Sequence, residues 1–553
     1  MGNKTTKLES DPSRHYDYIV VGAGSAGCVL AHRLTEDPRM RVLLLEAGGA
    51  DSDPLIHIPI GLGKLWKERR HDWGFSTEPQ AQLNQRAIEL PRGKVLGGSS
   101  SINAMLYLRG HSGDYDRWAS MGLAGWSYAD VLPYFKRMET WSGGENAYRG
   151  GSGPIATRFT DVSDPLYSAV LGAGQAAGFA LTEDLNGKAQ EGFAMAQSTI
   201  GGGHRCSAAR AYLRPAMRRA NLTVRTGALA TRVVLEGKKA IGVEYLHRGR
   251  IERDRAQGEV LLSAGAINTP QLLMLSGIGE AAQLRRHGIG QAAHVPGVGA
   301  NFQDHVYANV GNLRKGTGPL RHALRVDRIA FAMLRAYIAG TGPATNPPGG
   351  VMALVRTRAG LAVPDIQLGL RGIARDARPW WPVRGPDWDD AFFLLVVLLH
   401  PESRGAIELA SADARQPARI CANYLSAPAD MQAITAGMRM AREVIRQSAL
   451  DAFRGEEIVP GAKVVSDADI HAHIRSVAST LHHASGTCRM GHDDMAVVDP
   501  GLKVRGIERL RAVDASVMPD LVSGNINACV LMIAERASDL IRGRAPLPAE
   551  NPG

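Results

Sequence analysis

Three glycines and one glutamate near the amino terminus have the types and spacing that a nucleotide site requires. Gly22, Gly24 and Gly27 form the pattern G-x-G-x-x-G, and Glu46 follows 22 residues after Gly24. In this pattern the first glycine permits a tight turn, the second lets the backbone approach a pyrophosphate, and the third lets a helix pack closely on a strand. The acidic side chain accepts hydrogen bonds from a ribose. These four residues predict that the chain binds a dinucleotide.

A second segment with chemical potential runs from Pro91 to Asn103. It places Gly97 and Gly98 before three serines and ends on the amide of Asn103. Glycines remove the obstruction of a Cβ atom, and hydroxyl and amide side chains supply hydrogen bonds. Such a loop can wrap closely around a planar ring or a phosphate, although a glycine-rich surface turn would have the same composition.

The elements around the first motif are those that a dinucleotide site needs. Residues 16–21 are typical of a short strand, a helical pattern follows through Val29 and Leu34, and Val42 to Leu45 reads as a second strand. A βαβ unit of about thirty residues makes the glycine pattern specific. Beyond it, apolar patterning predicts further strands and helices: strands at 223–234, 259–262 and 392–399, and helices at 264–275, 466–478 and 527–541.

Composition bounds the class of protein. The chain has 553 residues, of which 44% are hydrophobic and 21% charged, so it can bury a large core. A single small binding module and extensive disorder are therefore excluded. Lys and Arg exceed Asp and Glu by 64 to 54, but the basic residues are scattered and no recognition motif accompanies them. We therefore predict no nucleic-acid partner.

The cysteines and the apolar segments indicate the cellular compartment in which the protein is expected. The five cysteines lie far apart without a C-x-x-C pair or ligand-spaced histidines, which predicts neither a disulfide framework nor a metal site. The polar leader before the first strand lacks an apolar signal segment, and the longest apolar run, residues 392–399, is too short to span a bilayer. We expect a cytoplasmic protein without a transmembrane segment, for which peripheral contact with a membrane stays open.

Several separated motifs, in order, resemble those of the glucose-methanol-choline (GMC) family of FAD-dependent oxidoreductases. The first signature is similar to residues 93–116, which contain GKVLGGSSSIN, and the second to residues 265–279. A carboxyl-terminal block, LHHASGTCRMG at 481–491, is followed by matching segments at 513–516 and 524–527. The resemblance covers nearly the whole chain.

The resemblance implies an α/β fold with a Rossmann-like FAD-binding domain and a discontinuous substrate domain built on an antiparallel sheet with helices. We expect the FAD-binding domain to comprise 14–155, 205–305 and 480–545. The substrate-binding domain would comprise 156–204 and 306–479.

The resemblance also implies which residues contact FAD. The ADP part would lie over residues 22–27, with Glu46 on the adenosine ribose and Ala230 at the adenine. The implied cofactor-binding residues are Gly22, Gly24, Ser25, Ala26, Gly27, Glu46, Gly98, Ser99, Asn103, Ala104, Met105, Leu106, Ala230, Asp514, Ala515 and Asn527. Some members attach flavin covalently to a histidine just before the loop asparagine. Ile102 stands there, so we expect non-covalent FAD.

By the same resemblance, His483 and Asn525 are the catalytic candidates. Oxidising an alcohol removes a proton from oxygen and a hydride from carbon, so a base must sit beside the hydroxyl while flavin N5 accepts the hydride. His483, three residues before the Gly-Thr-Cys, would be that base, and the amide of Asn525 would hold the alcohol oxygen. Adjacent residues on an extended segment face opposite ways, which predicts that His482 points away.

The substrate side is less well specified. Segments 315–350 and 370–390 are expected to include loops over the pocket. Their tryptophans, Trp380, Trp381 and Trp388, together with Phe392 and Phe393, would form an aromatic wall, although core packing explains them equally well. Arg371 and Arg375 could pair with an anionic substrate or could simply be solvated. Because no aromatic cage with an acidic partner is evident, choline is not favoured.

The sequence therefore predicts FAD-dependent oxidation of a primary alcohol to an aldehyde. Oxygen or a quinone-like compound would accept the electrons. The alternatives are a non-redox family member such as a hydroxynitrile lyase or a photodecarboxylase, an NAD-dependent dehydrogenase, and a catalytically silent flavoprotein.

Overall fold

Two seven-stranded sheets form the framework of the protein. The computed structural model describes residues 14–161, 163–347 and 349–552, so the polar leader lies outside the described residues. Strands and helices are numbered along the chain. The first sheet contains β1 (His15–Val21), β2 (Val42–Leu45), β11 (Leu222–Arg225), β12 (Ala228–Glu236), β13 (Lys239–His247), β14 (Arg250–Leu262) and β25 (Leu510–Ala512).

The first sheet has a parallel half and an antiparallel half. Its strand order is β11-β2-β1-β14-β13-β12, with β25 beside β14. β1, β2, β11, β14 and β25 pair in parallel, whereas β13 pairs antiparallel with β14 and β12 pairs antiparallel with β13. All four residues of β2 are buried, as expected of a strand covered on both faces.

The predicted strand at 223–234 is wrong as a single element. The chain turns at Gly227, which has a φ of +66°, and forms β11 before the turn and β12 after it. β11 then pairs with β2, whereas β12 pairs with β13 at the opposite edge of the sheet.

The second sheet is antiparallel throughout. Its strand order is β23-β17-β20-β19-β18-β7, with β24 beside β17. The strands are β7 (Gly192–Met195), β17 (Val306–Arg314), β18 (Val351–Val355), β19 (Ile366–Arg371), β20 (Ala391–Leu398), β23 (Arg454–Val459) and β24 (Ser479–Thr480). The two sheets draw on interleaved parts of the chain. The predicted domain boundaries stay a prediction.

Short strands in the described residues form smaller, separate sheets of two or three strands. They are β3 (Phe75–Ser76), β4 (Glu89–Leu90), β5 (Glu139–Trp141), β6 (Ile155–Phe159), β8 (Gln197–Ser198), β9 (Ile200–Gly201), β10 (His204–Arg205), β15 (Ile278–Gly279), β16 (Ala293–His294), β21 (Ala406–Glu408) and β22 (Arg419–Cys421).

The α-helices surround the two large sheets. They are α1 (Ser25–Leu34), α2 (Pro54–His57), α3 (Leu62–Lys67), α4 (Ser112–Ser120), α5 (Tyr128–Met138), α6 (Pro165–Ala176), α7 (Arg214–Ala216), α8 (Gly265–Leu275), α9 (Ala281–Arg286), α10 (Pro319–Ala323), α11 (Val326–Ala339), α12 (Pro428–Arg446), α13 (Asp467–Val477) and α14 (Asn527–Ile541). Within the described ranges, no helix is both long and apolar enough to cross a membrane.

Helix α11 presents an unusual surface. Its small residues Ala332 and Ala336 face inward, whereas Phe331, Leu334 and Ile338 are 68%, 56% and 73% exposed. The segment 315–350 was expected to include loops over the pocket, but much of it is the helix α11. It is helical because residues 326–339 carry no internal glycine or proline and place small residues along one face.

Candidate functional site

The first glycine motif forms the predicted turn between β1 and α1. Gly22 has a φ of +97°, and a Cβ atom on Gly27 would lie 1.9 Å from the Gly22 carbonyl oxygen. A Cβ on Gly24 would meet nothing closer than 4.0 Å, so its backbone faces open space. Gly27 therefore packs the helix on the turn, as the sequence indicates, and does not line the cavity that the other glycines border.

The second glycine loop touches the first. A Cβ on Gly98 would lie 2.7 Å from the Gly24 Cα, so only glycine allows this approach. The loop serines secure the loop itself: Ser100 Oγ donates to the Gly97 carbonyl at 2.6 Å and Ser101 Oγ to the Leu96 carbonyl at 2.8 Å. These two hydroxyls were expected to be free for a ligand, but they satisfy backbone groups instead.

Glu46 lies at the end of β2, against the first glycine turn. Its carboxylate accepts hydrogen bonds from the Ala23 amide at 2.9 Å and the Gly48 amide at 2.8 Å. Burial raises the pKa of Glu46 to about 7, against these two amides and the charge of Lys94. Its side chain borders the cavity, where its remaining lone pairs can accept hydrogen bonds from hydroxyl groups of a ligand.

Asp514 joins the beginning of α8 to the carboxyl-terminal segment. It accepts from the Gly265 amide at 2.8 Å, the Thr269 hydroxyl at 2.6 Å and the Ser516 amide at 2.8 Å. Nearby, Ser25 Oγ donates to Asn527 Oδ1 at 2.7 Å, which joins the first turns of α1 and α14. Segments about five hundred residues apart thus meet at one wall.

One cavity of about 400 Å³ unites these segments. Of the sequence-predicted cofactor residues it is lined by Gly22, Gly24, Ser25, Ala26, Glu46, Gly98, Ser99, Asn103, Ala104, Met105, Leu106, Ala230, Asp514, Ala515 and Asn527. It extends to both catalytic candidates, His483 and Asn525. Bare glycine backbone at the beginning of α1, an acid beside it and the aromatic side chains of Trp66, Trp73 and Phe75 fit a dinucleotide with a ring system.

His483 is held at the far end of this cavity by its backbone. Its amide donates to Asp304 Oδ1 at 2.7 Å, and Asp304 Oδ2 accepts from the Tyr424 hydroxyl at 2.8 Å and from the hydroxyl of Thr480. All four residues are buried. A buried carboxylate with three donors fixes the position from which the imidazole projects.

The side chain of His483 is oriented by a second histidine, His305. Their Nδ1 atoms are 2.8 Å apart, and His305 Nε2 lies 3.0 Å from the Leu399 carbonyl oxygen. A carbonyl only accepts, so His305 Nε2 carries the proton and, in the neutral ring, His305 Nδ1 accepts. His483 must then donate from Nδ1, which leaves His483 Nε2 without a proton.

Burial supports this neutral state. It lowers the pKa of His305 to about 3, and it lowers the pKa of His483 well below its ordinary value, with further contributions from His305, Arg92 and His482. Asn525 Nδ2 lies 3.2 Å from His483 Nε2, and Asn525 Oδ1 is buried without a hydrogen-bond partner in the structure. An unprotonated ring nitrogen and an amide thus stand side by side.

His482 does not point away, contrary to the prediction. Its φ of +65° places it in the left-handed region, where the alternation of an extended strand fails. Both adjacent histidines therefore line the cavity. The His482 carbonyl accepts from the Arg92 guanidinium, and burial lowers the pKa of His482 to about 3.

The aromatic wall comes from other residues than those predicted. Trp388 and Phe393 pack in a core cluster, Phe392 is fully buried in the main core, and Trp381 is 64% exposed. The cavity is lined instead by Trp66, Trp73, Phe75 and Tyr307. Trp66, Trp73 and Phe75 lie in the sequence between the two glycine loops. This position between two predicted cofactor segments is the sequence feature that could have identified them as cavity residues.

No metal chemistry emerges from the described residues. They contain no group of three or more His, Cys, Asp and Glu side chains that could hold an ion. The five cysteines are free, and Cys488 and Cys529 are buried as packing residues.

The family profile described as GMC oxidoreductase matches the chain over residues 16–307 and 401–534. The chain belongs to this family. It is therefore a FAD-dependent oxidoreductase that acts on CH–OH donors and oxidises an alcohol to an aldehyde. The predicted fold class and cofactor are confirmed.

Relatives extend over almost the entire chain. The oxygen-dependent choline dehydrogenase of Photobacterium profundum is 44% identical, and the alignment covers 97% of this chain and 94% of that relative. The mitochondrial choline dehydrogenase of Homo sapiens is also 44% identical, and the alignment covers 97% of this chain and 91% of that relative. Among solved structures, pyridoxine 4-oxidase from Mesorbium loti is similar with a TM-score of 0.86 at 32% identity, covering 96% of this chain and all of that one (100%). All three names are those of oxidising enzymes, so the lyase and decarboxylase alternatives are not favoured.

Proposed function

We propose that His483 is the base that takes the hydroxyl proton of a primary alcohol, with Asn525 holding the alcohol oxygen. The observation that carries the proposal is the unprotonated His483 Nε2, which borders the same cavity as the two glycine loops. A neutral imidazole with its other nitrogen engaged keeps Nε2 as an acceptor, and an alcohol hydroxyl would take the place of the Asn525 Nδ2 donor there.

The residues divide the work along the cavity. Gly24 and the beginning of α1 offer backbone amides to a pyrophosphate, Glu46 accepts from a ribose, and the loop from Gly98 to Leu106 supports the ring system. When bound, FAD accepts the hydride from the alcohol carbon. His483 Nε2 receives the proton, Asn525 keeps the oxygen beside it, and the buried wall limits the access of water.

Choline is one candidate substrate, because the relatives at 44% identity are named choline dehydrogenases. It is a primary alcohol, as the proposal requires. It belongs in any substrate panel beside neutral and anionic alcohols.

We further propose that α11 rests on an anionic membrane surface. Phe331, Leu334 and Ile338 form an outward apolar stripe, and the exposed Arg328 and Arg335 flank it. An apolar face bordered by arginines suits the interface of an anionic bilayer. The chain's net charge of +10 adds attraction. Such contact favours a quinone-like electron acceptor, with oxygen as the alternative.

We also propose a reducing compartment such as the cytoplasm. Its support is that all five cysteines are unpaired thiols and that four of them are buried.

The deciding experiment is anaerobic mixing of the yellow holoprotein with a panel of primary alcohols, followed by admission of air or a soluble quinone. We expect bleaching of the flavin absorbance by at least one alcohol and its return with the acceptor. His483→Ala should keep bound FAD but slow the bleaching by about 10²- to 10⁴-fold. The proposal is contradicted if no alcohol bleaches the flavin of the wild-type protein, or if the flavin of His483→Ala is bleached at the wild-type rate.

A further inference from the structure

The second sheet presents a cation to the catalytic cavity. Tyr307 on β17, Leu395 on β20 and Arg371 at the end of β19 line the cavity together with His483. In the ladders Tyr307 pairs with Val397, and Leu395 pairs with Gly369. Because alternate residues of a strand share a face, all three side chains project from the same side of the sheet.

Tyr307 connects this face to the catalytic base. It lies two residues after His305, which contacts His483. The Tyr307 hydroxyl also lies near the Arg371 guanidinium. The cation thus borders the cavity from the sheet that continues from His305, and the dinucleotide motifs belong to other elements.

Arg371 makes no ion pair with any described residue. Its Nη2 donates to the Arg375 carbonyl over a long 3.4 Å, and its Nε is buried without a partner. The buried arginines Arg109 and Arg314, by contrast, each contact a carboxylate. A partly buried guanidinium without an anion carries a desolvation cost, and a bound carboxylate would relieve that cost.

The surroundings reinforce the positive potential. The carboxylates that line the cavity are Glu46 and Asp514, and both are engaged by backbone amides of the nucleotide motifs. One face of Trp73 is covered by the Lys94 ammonium, 4.5 Å from the ring centroid. A cationic substrate would therefore meet Arg371 without a counter-charge nearby.

We propose that the substrate is a hydroxy acid: a primary alcohol whose remote carboxylate binds Arg371 while its hydroxyl lies at His483. This inference rests on the proposed function and specifies its substrate class. The carboxylate is not altered. Oxidation breaks one C–H and the O–H bond, forms the aldehyde C=O, and transfers two electrons to the enzyme's own FAD.

The test compares matched alcohols on the holoenzyme under anaerobic conditions. Para-(hydroxymethyl)benzoate and straight-chain ω-hydroxycarboxylates are each paired with the neutral alcohol that carries a methyl group in place of the carboxylate, and choline is included. We expect flavin reduction by the best hydroxy acid to be about 10- to 100-fold more efficient than by its neutral partner. Equal efficiency, or a preference for choline, overturns the inference.

Variants assign the preference to one side chain. Arg371→Gln should remove the carboxylate preference with the FAD content unchanged, and Arg371→Lys should keep part of it. Arg384→Gln, at an exposed arginine away from the cavity, is the matched control and should keep the full preference. A preference that survives Arg371→Gln, or a loss of FAD in that variant, contradicts the assignment.

A binding measurement separates this inference from the proposed function. Titration of oxidised holoenzyme with para-methylbenzoate should perturb the flavin spectrum, with a Kd about 10- to 100-fold higher in Arg371→Gln. Para-methylbenzamide should bind both proteins equally. If no alcohol bleaches the flavin yet this difference holds, the proposed function fails and the carboxylate site stands. If the Kd is the same in both proteins, the site fails.

Discussion

His305 and His483 meet through their Nδ1 atoms at 2.8 Å, with their ring planes 86° apart. Across this contact the Nδ1–H group of His483 donates to Nδ1 of His305. The Leu399 carbonyl at the other side of His305 thereby determines which nitrogen of His483 is left to accept a proton.

Replacing His305 should misorient the base without removing it. We expect His305→Leu to lower kcat by about 10- to 100-fold, because His483 Nδ1–H loses a buried acceptor and the ring can adopt the other tautomer. His305→Asn, which offers an amide oxygen, should retain more activity. Stopped-flow flavin reduction measures both, with FAD content as the control for folding. Wild-type rates in His305→Leu would refute the orienting role.

The pH dependence follows from the lowered pKa of His483. The neutral, active form persists below the ordinary histidine pKa of about 6.5, so kcat/KM should stay constant as the pH falls from about 8 to about 5.5. Activity should be lost only when the pH falls through the depressed pKa. A profile of kcat/KM in buffers of constant ionic strength measures this. An acid limb centred at 6.5 or above would show that the imidazole is not desolvated.

FAD should leave the denatured protein. Ile102 occupies the position where some relatives carry a flavin-linked histidine, and its aliphatic side chain packs with Ile56, Leu65 and Val95. Precipitation with trichloroacetic acid should leave the yellow colour in the supernatant. A yellow pellet that resists washing would instead indicate covalent attachment.

Above its raised pKa of about 7, Glu46 is ionised, and Glu46→Gln should there weaken FAD binding by about 10- to 100-fold, because charged acceptors contribute more than neutral ones. One amide nitrogen of glutamine would also face the Ala23 or Gly48 donor. Fluorescence titration of apoprotein with FAD measures the change. Glu145→Gln, at an exposed glutamate, should leave the affinity unaltered. Equal affinities in the two variants would remove Glu46 from the cofactor site.

The apolar face of α11 should carry membrane binding. Wild-type protein should sediment with phosphatidylglycerol vesicles more than with phosphatidylcholine vesicles, and a Phe331→Ser/Ile338→Ser variant should bind at least about tenfold more weakly. Val465→Ser, which changes another exposed apolar residue, is the control. If the double variant sediments with vesicles as the wild type does, α11 is not the surface that binds the membrane.

Local signals in the sequence predicted much of the nucleotide region. β2 and α14 begin and end at the predicted residues, because an all-apolar short strand and an uninterrupted amphipathic helix are determined by nearby residues. The two glycine loops were predicted as well, since close backbone approach demands glycine at fixed positions.

The rest depended on contacts between distant segments. His305 is 178 residues from His483 in the chain, and nothing in its own neighbourhood marks it as a partner. The inward direction of His482 arises from one left-handed residue, which no alternation rule includes. Arg371 was recognised as a candidate anion partner, but only the fold separates it from the solvated arginines around it.

The hydrogen bond between Ser25 and Asn527 has a consequence for biosynthesis. It spans 502 positions, and the cavity wall also needs Asp514 and Asn525. While the chain is still being translated, the dinucleotide motif emerges from the ribosome long before the segments that close its pocket. The pocket can therefore close around FAD only after Asn527 has been translated, so chains truncated before Asp514 should be colourless.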